Sequence, residues 1–155
     1  MQKLQSLIEE ANKRIRTADH LVYMTYPMLQ DPKLIMKIAE NVADAMKYAI
    51  EAIVYYDRLY KRVSPFGEEF VSKYDIFKHH CSKRYNIPSH HLLTFEDVSN
   101  IVKEHKGNST SFIKDGTIVI CSDQFQKVRK VGIDKVKTFL NDAKQFIVKA
   151  NQIIK

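Results

Sequence analysis

Cysteine, glycine and long apolar runs are all scarce in this sequence. Its 155 residues contain two cysteines, which excludes a disulfide framework, and we expect Cys81 and Cys121 to be free buried thiols. The four glycines and four prolines exclude long flexible linkers. No stretch approaches the ~18 apolar residues of a membrane span, and no signal peptide is recognisable. The sequence therefore predicts a single cytoplasmic domain, residues 1–155, without a membrane.

Motifs of the common enzyme classes are missing too. The glycines lie too far apart for a phosphate-binding loop, and no CxxC, HExxH or nucleophile-elbow sequence occurs. Four of the six histidines form the adjacent pairs His79-His80 and His90-His91. Adjacent side chains on a helix point about 100° apart, whereas a zinc site needs three or four convergent ligands. We therefore expect surface or capping histidines, no metal site and no cofactor.

Positive charge is the clearest compositional signal. Lysine and arginine number 25 against 18 acidic residues, which makes the formal net charge +7. Such an excess favours polyanionic partners such as RNA or a nucleoprotein complex. The alternative is a lysine-rich surface that only keeps a small protein soluble.

Apolar residues recur at alternating spacings of three and four along most of the chain, as is typical of helices that bury one face. Pro27 ends or kinks the first helix. Asp31-Pro32 and Ser64-Pro65 each favour a helix start, because aspartate or serine can cap free N–H groups and proline suits the first turn. The predicted helices cover residues 3–26, 32–63, 65–85, 94–106 and 133–154, and the short fourth one starts with a capping-box-like pattern at Thr94–Asp97.

Before the last helix the pattern changes to that of strands. Residues 110–114 and 117–122 flank Asp115-Gly116, which supplies the positive φ angles of a two-residue hairpin turn. The apolar second strand is expected to be the inner one, and residues 126–131 are a candidate third strand. We predict a mainly α fold: a helical bundle of four main helices plus a short one, with a small antiparallel β-hairpin insert, about 110–131, before the C-terminal helix.

A basic and aromatic segment, residues 55–62, ends the second predicted helix. Tyr55, Arg58 and Arg62 share one stripe, which can bind phosphates and stack a base. Equally, the other tyrosines can belong to the core while Asp57 pairs with Lys61 four residues later.

Further basic residues lie in or near the candidate third strand. Lys127, Arg129 and Lys130 are candidate nucleic-acid contacts there. The lysines of the last helix avoid its apolar stripe, so they form either a solvated face or part of the same polyanion-binding surface.

Arg84 and His90, with five residues between them, resemble the motif of the helical HEPN domains, a superfamily that contains metal-independent ribonucleases. The resemblance implies acid–base chemistry by His90 on a ribose 2′-hydroxyl and stabilisation of phosphate charge by Arg84. The alternative is an arginine favoured by a helix C-terminus, followed by a loop histidine.

Three stretches resemble a family of small archaeal helical proteins with no established activity: Ala18–Pro27, Tyr55–Arg62 with Ser64-Pro65-Phe66, and His105-Lys106 followed by the hairpin with Val119-Ile120-Cys121. This resemblance covers most of the chain and implies an archaeal cytoplasmic setting, but it implies no functional residue.

Three functions follow as hypotheses. The first is a non-catalytic basic module that binds RNA or a nucleoprotein assembly. The second is a HEPN-like ribonuclease that uses Arg84 and His90. The third is a structural subunit whose apolar stripes form a homodimer or partner interface.

Overall fold

The first helix has its predicted apolar face but does not end at Pro27. Helix α1 (Gln2–His20) continues through a π-helical turn (Leu21–Thr25) into the one-turn α2 (Tyr26–Leu29). Proline would crowd the carbonyl four residues earlier in a regular helix, and the wider turn lies just before it. The chain therefore stays helical until Gln30, which has a φ of 48°. The structure, a computed structural model, describes residues 2–107, 110–121 and 128–154.

The longest helix, α3 (Lys33–Leu59), is central to the core. Its start confirms the Asp31-Pro32 signal, because the Asp31 carboxylate accepts a hydrogen bond of 3.0 Å from the Lys33 backbone N–H. α1 packs along α3, and small side chains on both helices allow this approach. The fully buried alanines of the two helices are Ala11, Ala18, Ala39, Ala45, Ala49 and Ala52.

The next helical segment starts five residues later than predicted and contains a second π turn. The Ser64-Pro65 signal does not begin a helix. Val63 is buried and Phe66 packs partly against the core, so side-chain burial holds this irregular segment. The helical parts are α4 (Phe70–Ile76), the π turn (Phe77–Cys81) and α5 (Ser82–Arg84).

Helix α6 (Ser89–Lys106) is much longer than the short helix predicted from residue 94. Pro88 precedes it and no side chain caps it, so its start lacks the usual cap signal. The cap-like sequence at Thr94 lies inside the helix. His90 and His91 are therefore on the first helical turn, which corrects the reading of His90 as a loop residue.

The insert is a three-stranded antiparallel sheet and not a hairpin alone, because the candidate third strand forms over Val128–Val131. Strands β1 (Thr110–Lys114), β2 (Thr117–Cys121) and β3 (Val128–Val131) lie in the order β1-β2-β3. β2 is the inner strand, as predicted, and it is the most buried of the three. Asp115 and Gly116 have positive φ angles of 51° and 76°, as the two-residue turn requires.

The last helix, α7 (Ile133–Ile153), confirms its predicted bounds within one residue and packs against α1, α3 and α6. Cys81 and Cys121 are free and buried, as expected. Among the described residues, no helix has the length and apolarity that crossing a bilayer requires.

Candidate nucleic-acid interface at two helix ends

Helix α3 ends in a turn that folds the chain back over its last residues. The Arg62 N–H donates to the Asp57 carbonyl at 2.8 Å, and the Lys61 N–H donates to the Arg58 carbonyl at 3.0 Å. Lys61 has a φ of 57°. These are the bonds of a Schellman motif, in which a left-handed residue allows the last carbonyls to be satisfied. The motif brings Arg62 back beside the last turn of α3.

Helix α5 ends with the same motif. The Ile87 N–H donates to the Ser82 carbonyl at 2.9 Å, and Asn86, which follows the helix, has a φ of 52°. The two helix ends are then joined by a side chain, because Arg84 Nη2 donates to the Arg62 carbonyl at 3.2 Å. Two matching turns thus place Arg62 and Arg84 next to each other.

Both arginines bind the fully buried carboxylate of Asp57. Arg84 Nη1 lies 2.6 Å from Asp57 Oδ2, and Arg62 Nη1 lies 3.5 Å from Oδ1. The Tyr85 hydroxyl donates to Oδ1, and the Cys81 thiol donates to Oδ2 at 3.1 Å. A buried charge is costly unless it is paired and hydrogen-bonded, and here both oxygens have partners.

Burial also fixes the protonation of the two uncharged partners. Burial raises the pKa of the Cys81 thiol far above its usual range, and the hydrogen bond to Asp57 raises it further. Burial, followed by the bond to Asp57, raises the pKa of Tyr85 to about 12. Because a thiol reacts as its thiolate, Cys81 is a hydrogen-bond donor at neutral pH and not a nucleophile.

Arg62 presents a fixed charge to solvent. Its guanidinium carbon lies 5.1 Å from the ring centre of Tyr60 and 5.7 Å from that of Tyr56. The Arg62 side chain is 40% exposed and Tyr60 is 57% exposed. Aromatic faces attract guanidinium groups, so the group is held by rings, by Tyr85 (3.0 Å) and by Asp57.

The predicted stripe of residues 55–62 is only partly one surface. Arg58 is half-buried on the last turn of α3, beside Arg62 in the turn that ends the helix. The ring of Tyr55 instead packs partly against the core, 5.8 Å from Lys3 Nζ. Among the described residues, the partners of Asp57 do not include Lys61, so the alternative of an Asp57–Lys61 pair is wrong.

The basic residues of the sheet have mixed surroundings. Arg129 Nε lies 2.9 Å from Glu104 Oε2 in a half-exposed ion pair. Lys130 is exposed on β3, and Lys127 lies outside the described residues. Arg129 is therefore less available to a phosphate than Lys130, and the role of this group stays a prediction.

The structure holds Arg84 and His90 at different carboxylates. Arg84 binds Asp57, whereas His90 Nδ1 lies 2.6 Å from Asp142 Oδ1 on α7. Within the described part of the chain, no hydrogen bond or ion pair joins Arg84 to His90. The geometry adds no support to the ribonuclease hypothesis, which stays a prediction.

The apolar stripes of α1, α3 and α7 are used within the chain, where they form one core. The exposed large apolar side chains near α2 are Tyr23, Met24, Met28 and Leu29. The stripes are therefore not free to form a homodimer interface, and the homodimer hypothesis stays a prediction.

The sequence contained a signal for Asp57 that its reading missed. Asp57 lies four residues after Ile53 and three after Val54, both fully buried. A carboxylate on the apolar face of a helix must find a cation, and this spacing could have indicated a buried ion pair.

Comparison with known proteins adds no assignment. No protein family matches the chain, and no curated protein matches it either. The resemblances to the archaeal family and to HEPN domains stay predictions.

Proposed function

We propose that the chain is a non-catalytic module that binds single-stranded RNA at the two joined helix ends. We call Arg58, Tyr60, Arg62 and Arg84, together with the buried Asp57, the helix-end cluster. One observation carries the proposal: two partly exposed guanidinium groups are fixed on one buried carboxylate, with an exposed tyrosine ring against one of them. In the predicted cytoplasmic setting, the partner would be RNA, free or in a nucleoprotein complex.

The charge of the two helix ends suits phosphates. The two helix ends carry five basic residues against one carboxylate. Arg62 and Arg84 share Asp57, whereas the other three form no ion pair with any described residue. These three are Arg58, Lys61 and Lys83. When unpaired cations contact a nucleic acid, they displace the counterions condensed on its phosphates, and this release drives binding.

The aromatic part of the cluster suits bases. Base stacking on aromatic side chains contributes ~1–3 kcal/mol per base and tolerates any sequence. Tyr60 is exposed and lies against the Arg62 guanidinium, so a base on this ring would have a fixed cation beside it. Single-stranded RNA offers such unstacked bases, whereas a duplex does not.

The test is the salt dependence of binding to a labelled single-stranded oligoribonucleotide, measured by fluorescence anisotropy. The variant carries Arg58→Gln and Lys61→Gln, two changes outside the bonds to the Asp57 carboxylate. Each lost phosphate contact should lower the slope of log affinity against log salt by about 0.7. The double variant should therefore show a slope smaller by about 1.4 and weaker binding at low salt.

The matched control carries Lys33→Gln and Lys37→Gln. These exposed lysines lie on the same helix, about 32–38 Å from Arg58 at 1.5 Å per residue. The control loses the same charge and should keep the slope of the wild type. Equal losses of salt slope in both variants, or no binding of the oligoribonucleotide at low salt, would contradict the proposal. The cations would then have only the structural role of offsetting the negative ends of two helices.

A further inference from the structure

A second cluster of polar side chains lies where α6 begins beside α7. His90 and His91, on the first turn of α6, both face Asp142 of α7. His90 Nδ1 lies 2.6 Å and His91 Nδ1 3.0 Å from the same atom, Asp142 Oδ1. One ligand atom from each of the three residues lies within 4.8 Å of the other two.

Two buried atoms of this cluster have no hydrogen-bond partner in the described part of the chain. His91 is only 4% exposed, and its Nδ1, although near Asp142, makes no bond of suitable direction with any described residue. Asp142 Oδ2 is likewise buried and unpartnered within the described chain. Buried polar atoms in proteins nearly always have partners. A nitrogen and a carboxylate oxygen without partners therefore point to a ligand held between the His91 ring and the Asp142 carboxylate.

Adjacent histidines were expected not to share an ion, because their side chains leave the helix about 100° apart. The packing of α7 overcomes this divergence. The imidazole rings have centroids 4.3 Å apart and planes inclined by 60°, and the Asp142 carboxylate lies within reach of both Nδ1 atoms. The third group that makes the rings converge comes from 51 residues beyond His91, where sequence spacing carries no signal.

We propose that His90, His91 and Asp142 bind a divalent transition-metal ion of the zinc type. Two imidazole nitrogens and one carboxylate oxygen are the donors that such ions prefer, whereas Mg²⁺ and Ca²⁺ prefer oxygen alone. Tetrahedral zinc bonds of about 2.0–2.2 Å place ligand atoms about 3.4 Å apart. The His90 and His91 nitrogens would therefore move less than about 1 Å from Asp142 Oδ1.

The surroundings allow this movement on one side and restrict it on the other. The side chain of His90 is 59% exposed and can turn, whereas the buried His91 ring packs 5.8 Å from that of Phe146. The N-terminus of α6 adds partial positive charge, so the affinity for a cation depends on the negative charge of Asp142. Three protein ligands leave the fourth position of the bound ion to water or a small anion.

The direct test is a titration of the metal-stripped full-length chain with Co²⁺, followed by its displacement with Zn²⁺. Tetrahedral Co²⁺ absorbs visible light, which reports both the stoichiometry and the geometry. We expect one equivalent per chain. His90→Ala and Asp142→Asn should each lower the affinity by at least about tenfold, since even changes around metal ligands have effects of this size.

Two matched controls separate this site from scattered surface binding. His79→Ala removes an exposed histidine, and Asp134→Asn removes an exposed carboxylate of the same helix as Asp142; both should bind as the wild type does. Zn²⁺ should also raise the Tm of the wild type but not that of His90→Ala, because a ligand stabilises the folded form that binds it. Absence of saturable binding, or unchanged affinity in His90→Ala, would overturn the proposal. Because His90 is exposed, this variant remains informative even if Asp142→Asn fails to fold.

Discussion

Asp57 and Asp142 are both held between helices, but their surroundings differ in one respect. Asp57 is fully buried, and each of its oxygens has an arginine and a further donor as partners. Asp142 is 14% exposed; its Oδ1 meets two histidines, while its Oδ2 has no hydrogen-bond partner among the described residues. The first carboxylate is saturated by the protein, and the second is not.

This difference separates a structural charge from one that can bind a ligand. A saturated buried ion pair fixes the side chains around it, and at Asp57 these are the arginines that reach the surface. A carboxylate with an unused oxygen keeps binding capacity for something else. Substitution of Asp57 should therefore affect folding, and substitution of Asp142 should affect binding.

The largest effect should come from Asp57→Asn. The loss of the charge leaves Arg62 and Arg84 without their anion. Breaking a fully buried pair costs about 3–5 kcal/mol, and partial exposure of the two guanidinium groups reduces this cost. We expect a loss of about 2–4 kcal/mol in the free energy of unfolding, measured with urea. Asp44→Asn, on the same helix, breaks only an exposed pair with Arg14 at 3.6 Å and should cost less than about 1 kcal/mol. Similar losses in the two variants would show that the ion pairs of Asp57 contribute no more to stability than an exposed pair does.

Tyr85→Phe should have the next largest effect. It removes one hydrogen bond to the carboxylate, and with allowance for the partial exposure of Tyr85 we expect a loss of about 1–2 kcal/mol. The folded pKa of about 12 lies above the unfolded value of about 10. The stabilisation from this group is therefore complete below pH 10 and is lost as the pH rises to 12. Between pH 10 and pH 12 the free energy of unfolding should fall less steeply in Tyr85→Phe than in the wild type. An equally steep fall in both would contradict the raised pKa of Tyr85.

Lys61→Gly should stabilise the protein. Lys61 has a left-handed φ of 57°, which costs a residue with a side chain about 1–2 kcal/mol. Because glycine also loses more chain entropy on folding, we expect a net gain of about 0.5–1 kcal/mol. Asn86→Gly, at the matching position after α5 with a φ of 52°, should gain only a few tenths of a kcal/mol, because asparagine tolerates this conformation. A loss of stability in Lys61→Gly would mean that its side chain supports the cluster.

The smallest effect on folding should come from Asp142→Asn without metal. The amide retains an oxygen that can accept a hydrogen bond from His90, and no arginine loses its partner. We expect a change below about 1 kcal/mol in the free energy of unfolding. A loss as large as that of Asp57→Asn would remove the distinction between the two carboxylates.

Helix positions could be predicted where one face is buried along the whole element. The apolar spacings of α1, α3 and α7 involve residues close in sequence, so they can be recognised from a short stretch of the chain. The start of α6 could not be predicted, because Pro88 precedes it without a capping side chain, and the cap-like Thr94 lies one turn inside.

The partners within each site could not be predicted, because they meet across helices. Asp57 and Arg84 are 27 residues apart, and His90 and Asp142 are 52 apart. Which side chains meet at such separations depends on how the helices are rotated against each other. Arg84 and His90, by contrast, are near in sequence and bind different carboxylates.

The π turn at Phe77–Cys81 lies just before the residues that bind Asp57. Its i→i+5 hydrogen bonds accommodate one residue more than an α-helical turn does. A related chain that is one residue shorter here can therefore form a regular α-helical turn and keep Arg84 and Tyr85 on the side that faces Asp57. In such a chain we expect a carboxylate still at position 57.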